Sequence, residues 1–264
     1  MSMETALITG ASSGIGAAFA RELARRHYNL ILVARSQEQL NTLAQELRNE
    51  YPIQVEVIVQ DLGQPQAATQ VYQTVKDRGL TLDLLINNAG CGDYGPFASR
   101  NRSRQLEMIH LNIAALVELT HCVLPEMQQR RSGSIINVAS IAGFQPLPYM
   151  SIYAASKAFV LSFSESLWAE NLEFNLRIQA LCPGPTYSNF FQKAGFPDPL
   201  KNTDKRVTII PPEKVVQDSL RGLEKNQPVV VTGTFKAHII VNLPRFFPRQ
   251  VWVSFMGKMF KGGE

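Results

Sequence analysis

Cysteine is scarce in this 264-residue sequence: Cys91, Cys122 and Cys182 are odd in number and widely scattered. That spacing offers neither a disulfide framework nor a thiolate zinc site. The four histidines, His27, His110, His121 and His238, do not cluster with them, so no metal centre is expected. Blocks of one charge are missing as well. The net charge is +4, yet basic residues never run to about five or six in succession, and nucleic-acid binding is not expected. The amino terminus, MSMETALITG, has no basic region followed by a long apolar run, and nowhere do about 18 uncharged apolar residues follow one another. The expectation is a cytoplasmic protein in a reducing compartment, neither secreted nor membrane-spanning.

What is present is a well-filled apolar complement, 45% of the residues, enough for one large α/β domain. Thr5 to Thr9 is a short apolar run stopped by Gly10, and helical spacing resumes at Ile15, Phe19 and Leu23. Between them lies TGASSGIG, with Gly10, Gly14 and Gly16 as G-x-x-x-G-x-G. Glycines there permit a tight turn and let bare backbone amides approach an anion at the helix start, where the helix dipole also helps. A diphosphate is the expected guest. No GK[ST] closes the motif, so a P-loop for ATP or GTP is not expected. A lone glycine turn of this kind is otherwise an ordinary strand-to-helix connection.

The second apolar run, Asn29 to Val33, ends in Ala34-Arg35-Ser36. At this strand end, about twenty residues past the glycines, an acid would hold the ribose 2′-hydroxyl of NAD. None is there. Arg35, helped by Ser13 or Ser36, suits a 2′-phosphate instead, and NADP(H) is expected over NAD(H); the dull alternative is a solvent-facing arginine.

The alternation continues: a helix from about 37 to 50, a strand from 54 to 59, a helix from 66 to 78 and a strand from 82 to 86. This implies a parallel sheet with helices on both faces. Asp61 is read either as an acceptor for the adenine amino group or as a helix N-cap. Asn87-Asn88-Ala89-Gly90 ends the fourth strand with small and amide residues where backbone must approach a flat ligand. A long helix from 103 to 130 carries Asn112 in its interior, where a kink holding a water or a backbone carbonyl is expected. Ser134 to Val138 is a strand that delivers Ser140 to its carboxyl end, thirteen residues before Tyr153.

Tyr153 and Lys157 lie four apart in YAASK, on what reads as one helix face. A phenol with an ordinary pKa of about 10 is a poor acid or base at neutral pH, and a nearby ammonium is the usual means of lowering it. Alone, such a pair is common on helices and carries little.

Taken together, TGASSGIG, NNAG, Asn112, Ser140 and YAASK, in this order, resemble the short-chain dehydrogenase/reductase family over residues 4 to 233. The resemblance implies a Rossmann-type, doubly wound parallel sheet of about seven strands in three layers. It also implies a catalytic tetrad of Asn112, Ser140, Tyr153 and Lys157 interconverting a carbonyl and an alcohol. In that scheme Ser140 binds the carbonyl oxygen, Tyr153 protonates it, Lys157 supports the phenol and the nicotinamide ribose, and Asn112 anchors a water chain. Cofactor contacts are expected from Gly10, Ser12, Ser13, Gly14, Ile15, Gly16, Arg35, Asp61, Leu62, Asn88, Ala89, Gly90, Tyr153 and Lys157. Pro183, Gly184, Thr186 and Ser188 resemble the segment around the nicotinamide amide, Ser188 standing where members usually have Thr. The extended sugar-nucleotide branch has a different glycine pattern and a larger carboxyl-terminal domain. A cofactor-binding regulator that lost turnover is the non-enzyme alternative.

Residues 187 to 212, with Phe190, Phe191 and Phe196, read as a lid. With Tyr94, Phe97, Phe144, Leu147 and Met150 they suggest an apolar substrate pocket. A helix from 212 to 226 and a strand from 228 to 231 close a domain of residues 1 to 234. Residues 235 to 264 form an extension, one amphipathic helix of which is expected over 249 to 261. Its stripe could lie on a membrane, cover a greasy substrate, or pack on its own domain or a partner subunit. The resemblance implies a homodimer or homotetramer.

Overall fold

The computed structural model describes residues 3–196 and 209–261. Seven strands form one wholly parallel sheet in the order β3-β2-β1-β4-β5-β6-β7. They are β1 (Thr5–Thr9), β2 (Asn29–Ala34), β3 (Val55–Val59), β4 (Leu84–Asn87), β5 (Ser134–Val138), β6 (Arg177–Pro183) and β7 (Val229–Thr232). Because the inner strands are covered on both faces, they read as nearly continuous apolar runs rather than alternations; β1 is buried at all five positions, whereas the edge strand β3 carries Glu56 and an exposed Val59.

One layer consists of α1 (Gly14–Arg25), α2 (Gln37–Glu50) and α8 (Pro212–Glu224); the other holds α3 (Ala67–Asp77), α4 (Arg102–Ile109), α5 (Ala115–Arg130) and α6 (Ser151–Glu170). Phe19, Leu23, Leu40 and Val216 pack on one side with Ile8 and Leu32. Val71, Leu119, Val123 and Met127 pack on the other with Leu7 and Ile31. The expected three-layer Rossmann-type architecture is therefore observed. Sequence order reverses between β1 and β4, and in such sheets ligands settle at that switch point, outside the carboxyl ends of the strands.

The helix expected over 103 to 130 is real but not uniform: one π-helical turn, His110–Ala114, separates α4 from α5. By length and hydropathy, Arg102–Arg130 is the one described helix long and apolar enough to cross a membrane. Here it packs Leu116, Leu119, Val123 and Met127 into the domain core. The extension holds two helices, not one: α9 (Phe235–Asn242) was not expected, and α10 (Arg249–Phe260) was. A short helix, α7 (Phe190–Lys193), opens the segment read as a lid; its stretch 197–208 lies outside the described residues.

Candidate active site

The glycine turn after β1 is built by close approach. Gly10 (φ +64°) and Gly14 (φ +56°) occupy the left-handed region. A Cβ on Gly16 would sit 2.3 Å from the Gly10 carbonyl oxygen, so the first turn of α1 can fold back on the loop only with a bare Cα. The Ser13 side chain makes no capping bond to α1, and the first amides of the helix stay available to an anion.

NNAG is locked to this turn. The Asn88 side-chain amide donates to the carbonyl oxygens of Thr9 (2.9 Å) and Gly10 (3.2 Å), and Thr9 Oγ1 accepts from the backbone N–H groups of Asn88 and Ala89, both at 2.9 Å. Asn88 was read as a cofactor contact where backbone nears a flat ligand; its side chain braces the loop that would hold that ligand. Asn87 turns inward, donating to Thr120 Oγ1 (3.0 Å) and Asn137 Oδ1 (2.9 Å), while Asn137 donates to Ser164 Oγ (3.0 Å). This buried polar chain ties β4 and β5 to α5 and α6.

The four tetrad positions converge just beyond it. Asn112 is buried in the π turn; its Oδ1 accepts from Cys91 N at 2.9 Å and its Nδ2 donates to Cys91 O at 3.0 Å and to Ser156 Oγ at 3.0 Å. The expected kink holding a backbone carbonyl is thus present. Ser156 Oγ donates in turn to the Tyr153 carbonyl at 2.7 Å. A Cβ on Gly90 would meet Asn112 Oδ1 at 3.2 Å and Lys157 Nζ at 3.5 Å, which explains a glycine there. Lys157 Nζ donates to Val138 O at 2.7 Å and lies 5.9 Å from the Tyr153 ring centre. Ser140, at the end of β5, accepts from Ala142 N at 3.1 Å and stands near enough to the Tyr153 phenol to draw its pKa down. Sequence reading missed Ser156 and Gly143; a Cβ on Gly143 would stand 2.7 Å from the Lys157 carbonyl oxygen, so the turn after Ser140 reaches α6 only as glycine.

The electrostatics correct one expectation. Burial pushes the Tyr153 phenol up to about 12 rather than down, opposed in part by the nearby Ser140 hydroxyl, and burial pulls the Lys157 ammonium down to about 8. Desolvation outweighs proximity because the lysine's own charge is buried and its ammonium is engaged by a carbonyl rather than aimed at the phenol.

Around the phenol lies an apolar cluster of Leu147, Met150, Phe196, Trp252 and Met256, with Tyr94, Phe190 and Phe260 packed against it. The Phe190 ring is 5.2 Å from that of Tyr153, so α7 does sit over the site. Phe97 is exposed and Phe144 belongs to a different cluster, so neither lines this space as expected. The loop beneath is held by Asp93, whose buried carboxylate pairs with Arg100 and Arg104; Arg104 also donates to Lys193 O of α7 at 2.7 Å. The extension closes the remaining side: Tyr94 donates its hydroxyl to the Phe260 carbonyl, and Trp252 Nε1 donates to Gln145 Oε1 at 2.8 Å.

The residues fit a dinucleotide. Pro183 ends β6 and Gly184 N is held by Thr232 O at 3.0 Å; Thr186 Oγ1 caps Gly184 O at 2.9 Å. Ser188 comes within 3.4 Å of where a Gly14 Cβ would be, facing the glycine turn. Ser12, Ser13 and Ile15 lie on that turn, Ser13 exposed. Arg35 is largely exposed at the end of β2, with Asp61 Oδ2 at 3.9 Å and Glu107 Oε1 at 3.8 Å, distances that leave the guanidinium able to turn to a phosphate. Asp61 is no helix cap: its Oδ1 accepts from Gly63 N at 3.0 Å in a local turn. The Leu62 side chain is in the core, leaving only its backbone for a ligand.

Comparison with known proteins agrees with this geometry. The family model described as short chain dehydrogenase matches residues 4–196. The very-long-chain 3-oxoacyl-CoA reductase of Anas platyrhynchos is 34% identical over 77% of this chain and 67% of its own. A human protein named inactive hydroxysteroid dehydrogenase-like protein 1 is 28% identical over 94% of this chain and 73% of its own. Among solved structures, a short-chain dehydrogenase from Sphingobium yanoikuyae in complex with NADPH is 32% identical, with a TM-score of 0.81 over 99% of this chain and 97% of that one. Motif order, strand order and a match across most of the sequence lead to one assignment: the chain belongs to the short chain dehydrogenase family of oxidoreductases.

Proposed function

We propose that the protein is an NADP(H)-dependent oxidoreductase that reduces an apolar ketone or aldehyde to its alcohol, with Tyr153 as the proton donor. The observation that carries the reading is the convergence at one place of Ser140, Lys157 and a Tyr153 ring that lies against apolar side chains, with Lys157 Nζ 5.9 Å from the ring centre. A bound NADPH would supply hydride to one face of the carbonyl carbon. Ser140 donates a hydrogen bond to the carbonyl oxygen, and the phenol gives that oxygen its proton. A phenol kept protonated by burial suits protonation of a carbonyl better than it suits abstraction from an alcohol.

Lys157 holds positive charge beside the developing phenolate and is placed to contact the nicotinamide ribose. Asn112, through Cys91 and Ser156, fixes the wall against which both act. Arg35 favours the 2′-phosphate of NADP(H), as the NADPH complex of the Sphingobium protein supports. The apolar walls, and the long acyl chain in the name of the Anas relative, support a hydrophobic substrate. The test is NADPH consumption, followed by absorbance, across a panel of apolar ketones and aldehydes, with Tyr153→Phe beside the parent. Turnover lost in the variant supports the assignment. NADPH binding without turnover of any panel member would favour the non-catalytic reading that the inactive human relative keeps in view.

A further inference from the structure

The amphipathic stripe of α10 divides into two faces with different surroundings. Trp252 and Met256 turn inward and join the cluster around Tyr153. Val251, Phe255 and Met259, one helical turn apart in sequence, form a second row that is exposed, Val251 at 59% and Phe255 at 54%. The row is continued by the segment leading into the helix, where Phe246 is 78% exposed and Phe247 is half exposed. The ring centres of Phe247 and Trp252 lie 5.7 Å apart, as do those of Trp252 and Phe255, so the exposed Phe247 and Phe255 are both anchored on the one buried indole.

Apart from Glu264 at its end, the charged residues of this segment have one sign. From Lys225 to Gly263 the sequence contains no Asp or Glu, while Lys225, Lys236, Arg245, Arg249, Lys258 and Lys261 are all cationic. Arg245, Arg249, Lys258 and Lys261 are exposed. At 3.6 residues per turn, Lys258 projects only about 20° from Val251 around the helix, so an ammonium borders the apolar row directly. A helix with apolar residues on one outer face and cations at its margin matches an anionic lipid surface, where apolar insertion and headgroup attraction add.

We propose that the outer face of α10, with Phe246 and Phe247, docks the protein on an anionic bilayer. A second copy suits this face poorly, because a twofold contact would set the same cations against one another with no carboxylate in the segment to pair them. Residues 197–208, which lie outside the described residues, have only Leu200 and Val207 as large aliphatic side chains and offer little apolar cover. The inward row of the same helix walls the Tyr153 cluster, so docking brings the site to the bilayer in which apolar carbonyl compounds dissolve.

The experiment is co-sedimentation of the full chain with vesicles of phosphatidylcholine alone and of phosphatidylcholine mixed with phosphatidylglycerol, at low and high salt. Binding to the mixed vesicles, weakened by salt, is expected. Phe255→Asp should lower partitioning about tenfold or more, and Lys258→Glu with Lys261→Glu should remove the preference for the anionic lipid. Val251→Ser gives a milder version of the same loss should Phe255→Asp lower the melting temperature. Equal partitioning of parent and variants, or no binding to the mixed vesicles, overturns the proposal. So does a parent that is oligomeric by light scattering and becomes monomeric in Phe255→Asp, which would make the face an interface between copies. The readout needs neither substrate nor turnover, so it stands or falls apart from the reductase reading.

Discussion

Asn112 and Cys91 face each other through two reciprocal hydrogen bonds, side-chain oxygen to backbone N–H at 2.9 Å and side-chain N–H to backbone carbonyl at 3.0 Å. A side chain here imitates a strand neighbour, and it ties the loop after β4 to a π turn in the facing helix. Replacing Asn112 by Ala leaves the Cys91 groups and Ser156 Oγ without that partner, at about 1–3 kcal/mol for each buried group left unpaired. Thermal denaturation of Asn112→Ala should show a clear fall in midpoint, with carbonyl reduction reduced as well; an unchanged midpoint would contradict the bracing role.

Tyr153→Phe removes one oxygen from a side chain whose ring packing with Phe190 stays possible. The variant should fold and bind NADPH like the parent, and kcat should fall by about 10²–10⁴, the usual contribution of a positioned general acid. Steady-state kinetics with titration of NADPH fluorescence separates the two effects.

Gly16→Ala forces a methyl to within 2.3 Å of a backbone oxygen, and backbone cannot swing aside as a side-chain tip would. NADPH affinity should drop by at least about tenfold, because the anion-binding turn must open. Gly79→Ala is the control: it also has a positive φ, +66°, but meets nothing within 4 Å. It should cost about 1 kcal/mol in chemical denaturation and leave NADPH binding intact.

Arg35→Ala should weaken NADPH by about tenfold to a hundredfold, the worth of charge-assisted bonds to a phosphate, with NADH nearly unchanged. Binding isotherms for the two cofactors settle it; a parallel loss for both would assign Arg35 a structural part.

Lys157 gives a pH signature. Burial lowers its pKa to about 8 from the ordinary 10.5, so the folded state resists the charge and the penalty is complete below pH 8. As pH rises from about 8 to 10.5 the unfolded chain binds more protons than the folded one, and stability should increase through that window. Comparing denaturation midpoints of the parent with Lys157→Met isolates this group from Cys182 and Tyr153, whose raised values act in the opposite sense at alkaline pH. A difference that stays flat from pH 8 to 10.5 would refute the buried ammonium.

The sheet was legible because most strands are runs of branched or aliphatic residues, several of them ended by glycine or an amide, and because the turn after β1 states its own geometry in three glycines. The kink at Asn112 was legible too, since a side chain that competes for backbone bonds stood inside a long helical pattern. Other features depended on partners far away in sequence. The Asn87–Asn137 bond spans fifty positions, and nothing near Asn88 announces that its amide reaches back to Thr9 and Gly10. The phenol's direction of shift also escaped, because the spacing of Tyr153 and Lys157 reveals their proximity but not how thoroughly α7 and α10 dry the space around them. Helix α9 went unread because Phe235–Asn242 is short and has no clear apolar stripe at helical spacing.

Trp252, Met256 and Phe260 come from the last stretch of the chain, yet they stand in the same cluster as a tyrosine a hundred residues earlier. On the proposed reading, the walls that would select a ligand and the group that would move its proton therefore belong to separate segments. Changing the tail would then re-tailor what is accepted while the proposed proton donor stays where it is, a division of labour through which one scaffold could diversify its choice of carbonyl compound without reinventing its chemistry.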